Sequence, residues 1–121
     1  MDKAHEKLNY VEFGSMNLDA TKQFFSAAFG WRFTDYGPEY SAFDQQGLDG
    51  GVYAADKAAS QAEGSVLLVF YSSDLEATRS KVESLGGSIC KEIFEFPGGR
   101  RFHFTEPGGN EFGVWSDQPV S

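Results

Sequence analysis

The chain has 121 residues, the size of one domain, and 40% of them are hydrophobic, including twelve phenylalanines. Eighteen acidic against ten basic residues give a net charge of −8, which argues against nucleic acid and anionic membranes as partners. The single cysteine, Cys90, excludes an intrachain disulfide and a thiolate metal cluster, and we expect it to be buried in a strand. No apolar segment fits a signal peptide or a membrane span, so we expect a cytoplasmic protein.

The first elements predict a strand followed by a capped helix. The strand is expected in "LNYVEF", residues 8–13, and the helix begins after Asn17, whose side-chain oxygen can accept an orphan amide proton. Asp19 lies in the first turn, where the helix dipole favours a negative charge, and Gly30 is suited to end the helix. Three short strands separated by glycine-rich turns follow, which makes a βαβββ unit. Helical spacing predicts that the apolar face carries Leu18, Thr21, Phe25 and Ala28.

The second half of the chain repeats the first. "NLDATKQFFSAAFG" at residues 17–30 matches "DLEATRSKVESLGG" at an offset of 57 residues. "YSAFDQQGLDGGVYA" at residues 40–54 matches "FHFTEPGGNEFGVWS" at an offset of 62 residues. The difference predicts five extra residues around "FEFPGGR", in which we expect a hairpin turn. The sequence therefore predicts one domain over residues 1–121 with module 1 at about 6–55, a linker at 55–64 and module 2 at about 65–116.

The helix of module 2 is predicted by the same signals. Ser73 or Asp74 is suited to cap it, and Gly86 or Gly87 to end it. Its apolar face is expected to carry Leu75, Thr78, Val82 and Leu85.

The doubled βαβββ unit, with "NLDATKQFFSAAFGW" and "EPGGNEFGVW" in place, resembles the vicinal oxygen chelate superfamily. This is the group of glyoxalases, bleomycin-resistance proteins and extradiol dioxygenases, and the chain looks most like its small single-chain glyoxalase-related members. The resemblance covers residues 6–116 and implies an α+β fold. In that fold two tandem βαβββ modules form a cleft-shaped sheet with helices on the outside. It also implies a homodimer, because members commonly protect their sheet edges by dimerising.

The resemblance implies four positions at which metal-dependent members hold a divalent ion. Glycine and leucine carry no donor atom, and a phenol is a poor ligand for such ions compared with carboxylate or imidazole. We therefore predict no cofactor and no metal at the family site, while a divalent metal held by other residues stays open. The four positions in this sequence are Tyr10, Gly51, Leu67 and Gly113.

Strand alternation predicts which side chains face the cleft. Aromatic walls with a few polar groups suit a small organic ligand. An ion pair of Arg101 with Glu12 or Glu111 is expected, and metal-free proton transfer has His103, Glu111 and Glu12 as its candidates. The predicted cleft consists of Tyr10, Glu12, Tyr53, Leu67, Tyr71, Arg101, His103, Glu111 and Trp115.

The favoured interpretation is a metal-independent protein that binds a small organic molecule and has no assigned reaction. One alternative is a glyoxalase-related lyase or isomerase that uses a metal or acid/base residues at unusual positions, such as His103 and Glu111. Another is a protein that sequesters a cationic antibiotic of the bleomycin type, as resembling members do. The sequence leaves open whether the protein is an enzyme.

Overall fold

A computed structural model describes residues 3–119, and the chain forms the βαβββ unit twice. Module 1 consists of β1 (Tyr10–Ser15), α1 (Leu18–Phe29), β2 (Phe33–Asp35), β3 (Tyr40–Gln46) and β4 (Leu48–Ala54). Module 2 consists of β5 (Leu68–Tyr71), α2 (Leu75–Ser84), β6 (Ser88–Phe96), β7 (Gly99–Thr105) and β8 (Glu111–Ser116). One turn of 3-10 helix, Gln61–Glu63, lies in the connection between them. The predicted element order and the hairpin after β6 are confirmed.

The two modules form two four-stranded sheets with the same strand order. The first sheet is ordered β1-β4-β3-β2 and the second β5-β8-β7-β6. In each sheet the opening strand pairs parallel with the last strand of its own module, so that Tyr10 lies opposite Asp49 and Val69 opposite Gly113. The two family-position glycines, Gly51 and Gly113, therefore lie on equivalent strands, one in each sheet.

Both helices begin at the predicted type of cap. The Asn17 side chain accepts a hydrogen bond from the Ala20 N–H, and the Asp74 side chain accepts one from the Ala77 N–H, each at 3.1 Å. Gly30 ends α1 in the left-handed conformation with φ 72°, which costs glycine little. Across residues 3–119, no helix has the length and apolarity that a membrane crossing requires.

The core is aromatic and is shared by the two modules. The Phe25 side chain of α1 is fully buried and stacks on Trp31 at 4.4 Å between ring centroids. It also contacts the Phe13 ring of the first sheet and the Phe112 ring of the second. From the same helix, Phe29 stacks on Phe70 of β5 at 4.7 Å. The helix α1 therefore packs on the inner faces of both sheets, and α2 adds the buried Leu75 and Val82 to the same core.

A buried carboxylate joins the β7–β8 turn to α1. The Glu106 side chain is 1% exposed and accepts hydrogen bonds from Thr21 Oγ1 at 2.8 Å, the Gly108 N–H at 2.6 Å and Asn110 Nδ2 at 2.7 Å. The Met16 N–H donates to the Gly108 carbonyl at 3.0 Å. A Cβ on Gly108 would lie 2.1 Å from Thr21 Oγ1, so only glycine fits there. The "EPGGN" turn is therefore a joint between the modules.

Two sequence expectations about burial are wrong. Cys90 is exposed, because it lies on the edge strand β6 where the pairing with β7 shifts between Ile89 and Lys91. Leu85 is exposed as well, because it is the C-cap of α2 and lies beyond the last turn that packs on the sheet.

Candidate functional site

The predicted cleft residues lie on the sheet faces that point away from the aromatic core. In β8, Phe112 and Val114 are buried in the core, and Glu111, Gly113 and Trp115 alternate with them. The equivalent alternation holds in β1, where Phe13 is buried while Tyr10 and Glu12 are exposed. We call these surfaces the outer face of the first sheet and the outer face of the second sheet.

A chain of hydroxyl hydrogen bonds crosses the outer face of the first sheet. The Tyr40 Oη donates to Glu12 Oε2 at 2.8 Å and lies 2.7 Å from the Tyr10 Oη. Since the Tyr40 proton goes to Glu12, the Tyr10 hydroxyl is the donor to Tyr40. Burial and the hydrogen bonds with Tyr10 and Glu12 raise the pKa of Tyr40 above its ordinary value. Tyr40 is therefore held as a neutral phenol.

Tyr40 also fills the space above Gly51. A Cβ built on Gly51 would lie 1.9 Å from the Tyr40 Oη and 2.3 Å from its Cζ. No side chain on residue 51 can therefore point into this face while the Tyr40 ring stays in place.

The outer face of the second sheet carries a three-residue hydrogen-bond chain. Arg101 Nε donates to His103 Nε2 at 3.1 Å, so this nitrogen is an acceptor and the neutral imidazole carries its proton on Nδ1. His103 Nδ1 then donates to Glu111 Oε2 at 2.9 Å. The other oxygen of Glu111 accepts the Gln61 N–H at 2.9 Å. His103 is buried and is therefore held on both ring nitrogens.

Glu111 is ionised in this arrangement. Burial raises the pKa of Glu111, but hydrogen bonds from the Gln61 N–H and His103, together with the Lys91 charge, outweigh burial. The net result is a pKa below the ordinary value of a glutamate.

The expected ion pair of Arg101 with Glu12 or Glu111 is wrong. Glu12 accepts from Tyr40, and Glu111 is occupied by His103 and the linker backbone. Among the described residues Arg101 makes no ion pair, and its only side-chain hydrogen bond is the one from Nε. The physical reason is register, because His103 lies between the guanidinium and Glu111.

Aromatic rings flank the Arg101 guanidinium. Its Cζ lies 6.0 Å from the Phe94 ring centroid and 5.8 Å from that of Phe96. A Cβ on Gly113 would lie 3.0 Å from Arg101 Nη2. Arg101 thus stands over Gly113 as Tyr40 stands over Gly51. Phe94 and Phe96 are two positions apart in "IFEF", and this spacing places both rings on one face of a strand. That pattern could have predicted the two aromatic neighbours of Arg101.

The family metal positions do not fit a divalent ion in this chain. The Tyr10 hydroxyl is already hydrogen-bonded to Tyr40. Gly51 lies beneath the Tyr40 ring, and Gly113 lies beneath the permanently charged guanidinium of Arg101. The remaining position is an apolar leucine directly before β5. Within residues 3–119, no three His, Cys, Asp or Glu side chains are grouped as a metal site. The four positions are Tyr10, Gly51, Leu67 and Gly113.

The predicted cleft residues do not all meet in one cavity of a single chain. Glu12, Tyr53 and Glu111 share a groove of about 280 Å³ between the modules, with Lys57 and Asn110 beside them. The linker forms one side of this groove, because the Glu111 N–H donates to the Ala59 carbonyl at 2.8 Å. Sequence reasoning missed Lys57 and this role of the linker. The other predicted cleft residues lie outside the groove: Tyr10, Leu67, Tyr71, Arg101, His103 and Trp115.

Comparison with known proteins identifies the family. Residues 7–114 match the model of the Glyoxalase/Bleomycin resistance protein/Dioxygenase superfamily, and the chain belongs to this superfamily. Among curated proteins no significant match is found.

Solved structures share the fold at low sequence identity. A glyoxalase-related enzyme from Fulvimarina pelagi superposes with a TM-score of 0.75 at 15% identity, covering 96% of this chain and 97% of that one. The genomically encoded fosfomycin resistance protein FosX from Listeria monocytogenes gives a TM-score of 0.75 at 16% identity, covering 93% and 94%. Lactoylglutathione lyase from Agrobacterium tumefaciens gives 0.68 at 18% identity, covering 94% and 96%. These likenesses establish the fold and not a shared reaction.

Proposed function

We propose that this protein binds a small organic molecule on the outer faces of its sheets and does so without a metal ion. The observation that carries the proposal is the filling of both glycine positions. Tyr40 occupies the space over Gly51, and Arg101 occupies the space over Gly113. A guanidinium beside the site disfavours a divalent cation by direct repulsion.

We further propose that the working form is a homodimer in which a second copy covers these outer faces. Several apolar side chains on the outer faces are strongly exposed in the single chain, including Tyr10 at 46%, Val69 at 43% and Tyr71 at 51%. Apolar surface of this kind on a sheet is typical of an interface or a ligand site. The groove between the modules, at about 280 Å³, is small for an organic ligand on its own.

A second candidate function is acid/base catalysis without a metal, as in a lyase or an isomerase. The observation in its favour is the His103–Glu111 contact of 2.9 Å, in which a carboxylate orients an imidazole. Against it, the other imidazole nitrogen accepts from Arg101 and is not free to take a substrate proton. The bleomycin-type alternative requires a cationic ligand, and the unpaired Arg101 disfavours one.

The test combines metal analysis with activity measurement on the purified full-length protein. We expect less than stoichiometric divalent metal after dialysis against a chelator, and no turnover of methylglyoxal–thiol adducts with or without added Ni²⁺ or Zn²⁺. Glu111→Gln and His103→Gln are compared with Asp49→Asn, which changes the repeat partner of Glu111 in module 1. Stoichiometric Ni or Zn that is lost together with activity in the first two variants, and kept in the third, would contradict the metal-free proposal.

A further inference from the structure

Arg101 differs from the other arginines of the described chain. Arg79 forms an ion pair with Glu92 at 2.8 Å, and Arg100 pairs with Glu76. Arg32 is exposed after the end of α1. Arg101 alone is a half-buried guanidinium on an outer sheet face with no carboxylate partner among residues 3–119. A partly buried cation without a counter-ion is costly, and a bound anion offsets that cost.

The neighbouring carboxylates cannot serve as that anion without breaking contacts of their own. Both oxygens of Glu111 already accept hydrogen bonds, from His103 and from the Gln61 N–H. Glu12 accepts the Tyr40 hydroxyl on the other sheet. The second sheet therefore presents a positive group at its outer face although the chain as a whole carries a net charge of −8.

The Arg101 guanidinium is positioned by a hydrogen bond from its Nε atom. Its Nε donates to His103, which is buried and is held in turn by Glu111. This contact uses the nitrogen nearest the side-chain stem and leaves Nη1 and Nη2 as a planar pair of donors. Such a fork matches the two oxygens of a carboxylate, and fixing it in advance lowers the entropic cost of binding.

Aromatic side chains surround the same point. Phe94 and Phe96 flank the guanidinium, and Trp115 lies directly opposite Arg101 on β8. The Trp115 ring contacts Tyr71 at 5.2 Å and Phe96 at 6.2 Å between centroids. These rings supply apolar area for the organic part of a ligand whose charged end meets Arg101. Gly113 lies beneath the guanidinium and adds no side chain that would crowd Nη2.

We propose that Arg101, framed by Phe94, Phe96, Tyr71 and Trp115, binds the carboxylate of a small aromatic acid. This inference rests on the proposed function, since it names the ligand class of the same metal-free outer face. The guanidinium fork receives the carboxylate, and the rings pack against the aromatic part of the acid.

The test uses the full-length protein and three sets of small probes. Sodium benzoate and sodium 3-phenylpropionate are compared with the corresponding neutral amides and with benzylamine, by thermal shift and by calorimetric titration. We expect the acids to stabilise the protein in a concentration-dependent way and the amides and the amine to do so far less. Arg101→Gln should weaken acid binding by about 10- to 100-fold, the range expected for losing a charge-assisted contact.

Two further variants control for folding and for charge. Arg101→Lys keeps the charge but lacks the fork, so we expect an intermediate loss of affinity. Arg32→Gln makes the same change at an exposed arginine away from the site and should leave binding unchanged. Equal affinity of wild type and Arg101→Gln for the acids, or no acid binding at all, would overturn the assignment.

The failures of the two proposals are distinguishable. Binding of the amides or the amine by metal-free protein as tightly as the acids would leave the proposed function standing and overturn the carboxylate assignment. Acid binding that requires a stoichiometric divalent metal and disappears with a chelator would overturn the proposed function itself.

Discussion

Replacing Gly51 with alanine tests whether Tyr40 fills the position at which the family would place a metal ligand. Gly51 has no left-handed backbone angle, so alanine meets no conformational strain there. The new Cβ would nevertheless lie 1.9 Å from the Tyr40 Oη, and the ring would have to leave. Its hydrogen bonds to Tyr10 and Glu12 would then be lost.

The magnitude follows from those two hydrogen bonds. A neutral hydrogen bond contributes about 1 kcal/mol to stability. A hydrogen bond to a charged group contributes about 1.5 kcal/mol at the low end of its range, and we use the low end because this sheet face is solvated. Alanine offsets about 0.5 kcal/mol of this because it loses less backbone entropy than glycine in a strand. We expect Gly51→Ala to lower the free energy of unfolding by about 2 kcal/mol.

Urea unfolding of a double-mutant cycle measures the effect. In a Tyr40→Ala background the obstruction is absent, and Gly51→Ala should raise the free energy of unfolding by about 0.5 kcal/mol, which is the backbone-entropy gain alone. Gly113→Ala is the matched control, because its Cβ would lie 3.0 Å from Arg101 Nη2, which a shift of a few tenths of an ångström relieves without breaking the Nε hydrogen bond, and it should cost less than about 0.5 kcal/mol. If Gly51→Ala costs the same with and without the Tyr40 ring, the account of the filled position is refuted.

Three other predictions follow from the contacts described. Glu106→Gln should lower the free energy of unfolding by about 2–4 kcal/mol, because a buried carboxylate that accepts from several donors is lost. The control is Asp44→Asn at the exposed repeat partner, which should leave the free energy of unfolding nearly unchanged. Because the folded-state pKa of Glu111 is lowered, its contribution is complete above the ordinary value of 4.5 and is lost as pH falls through the folded value. Glu111→Gln should therefore flatten the acid side of the stability profile, and an unchanged profile would contradict the hydrogen-bond account. Sedimentation should show a dimer of the 13.3 kDa chain that Val69→Asp dissociates and Leu85→Asp, at the end of α2, does not.

The fold could be predicted because its signals are local and occur twice. The caps at Asn17 and Asp74 and the left-handed Gly30 are set by residues within one turn of the helix ends. The alternation in β8 is visible in the sequence because Phe112 and Val114 are apolar neighbours of small or polar residues.

The contacts of the candidate site depend on register and side-chain length, which the sequence does not display. Nothing local indicates that Tyr40 reaches across to Glu12, 28 positions earlier in the chain. Arg101 and His103 are two positions apart on one strand, and this places the imidazole between the guanidinium and Glu111. The expected Arg101–Glu111 pair was wrong for this reason. The burial of Cys90 was mispredicted because a bulge at a sheet edge leaves no pattern in the composition.

The same position of the repeated unit carries a different chemical group in each module. Gly51 and Gly113 are equivalent by sequence offset and by their place on β4 and β8. In module 1 the space over Gly51 holds the neutral phenol of Tyr40, which is hydrogen-bonded to Glu12. In module 2 the space over Gly113 holds the guanidinium of Arg101, which has no carboxylate partner among residues 3–119. A second copy of the chain would carry the same two faces. A dimer that places the first-sheet outer face of one copy against the second-sheet outer face of the other would enclose a ligand between a wall of tyrosine and glutamate and a wall with a free guanidinium. Such a cleft orients a ligand with one anionic end, because only one of its two walls attracts that end.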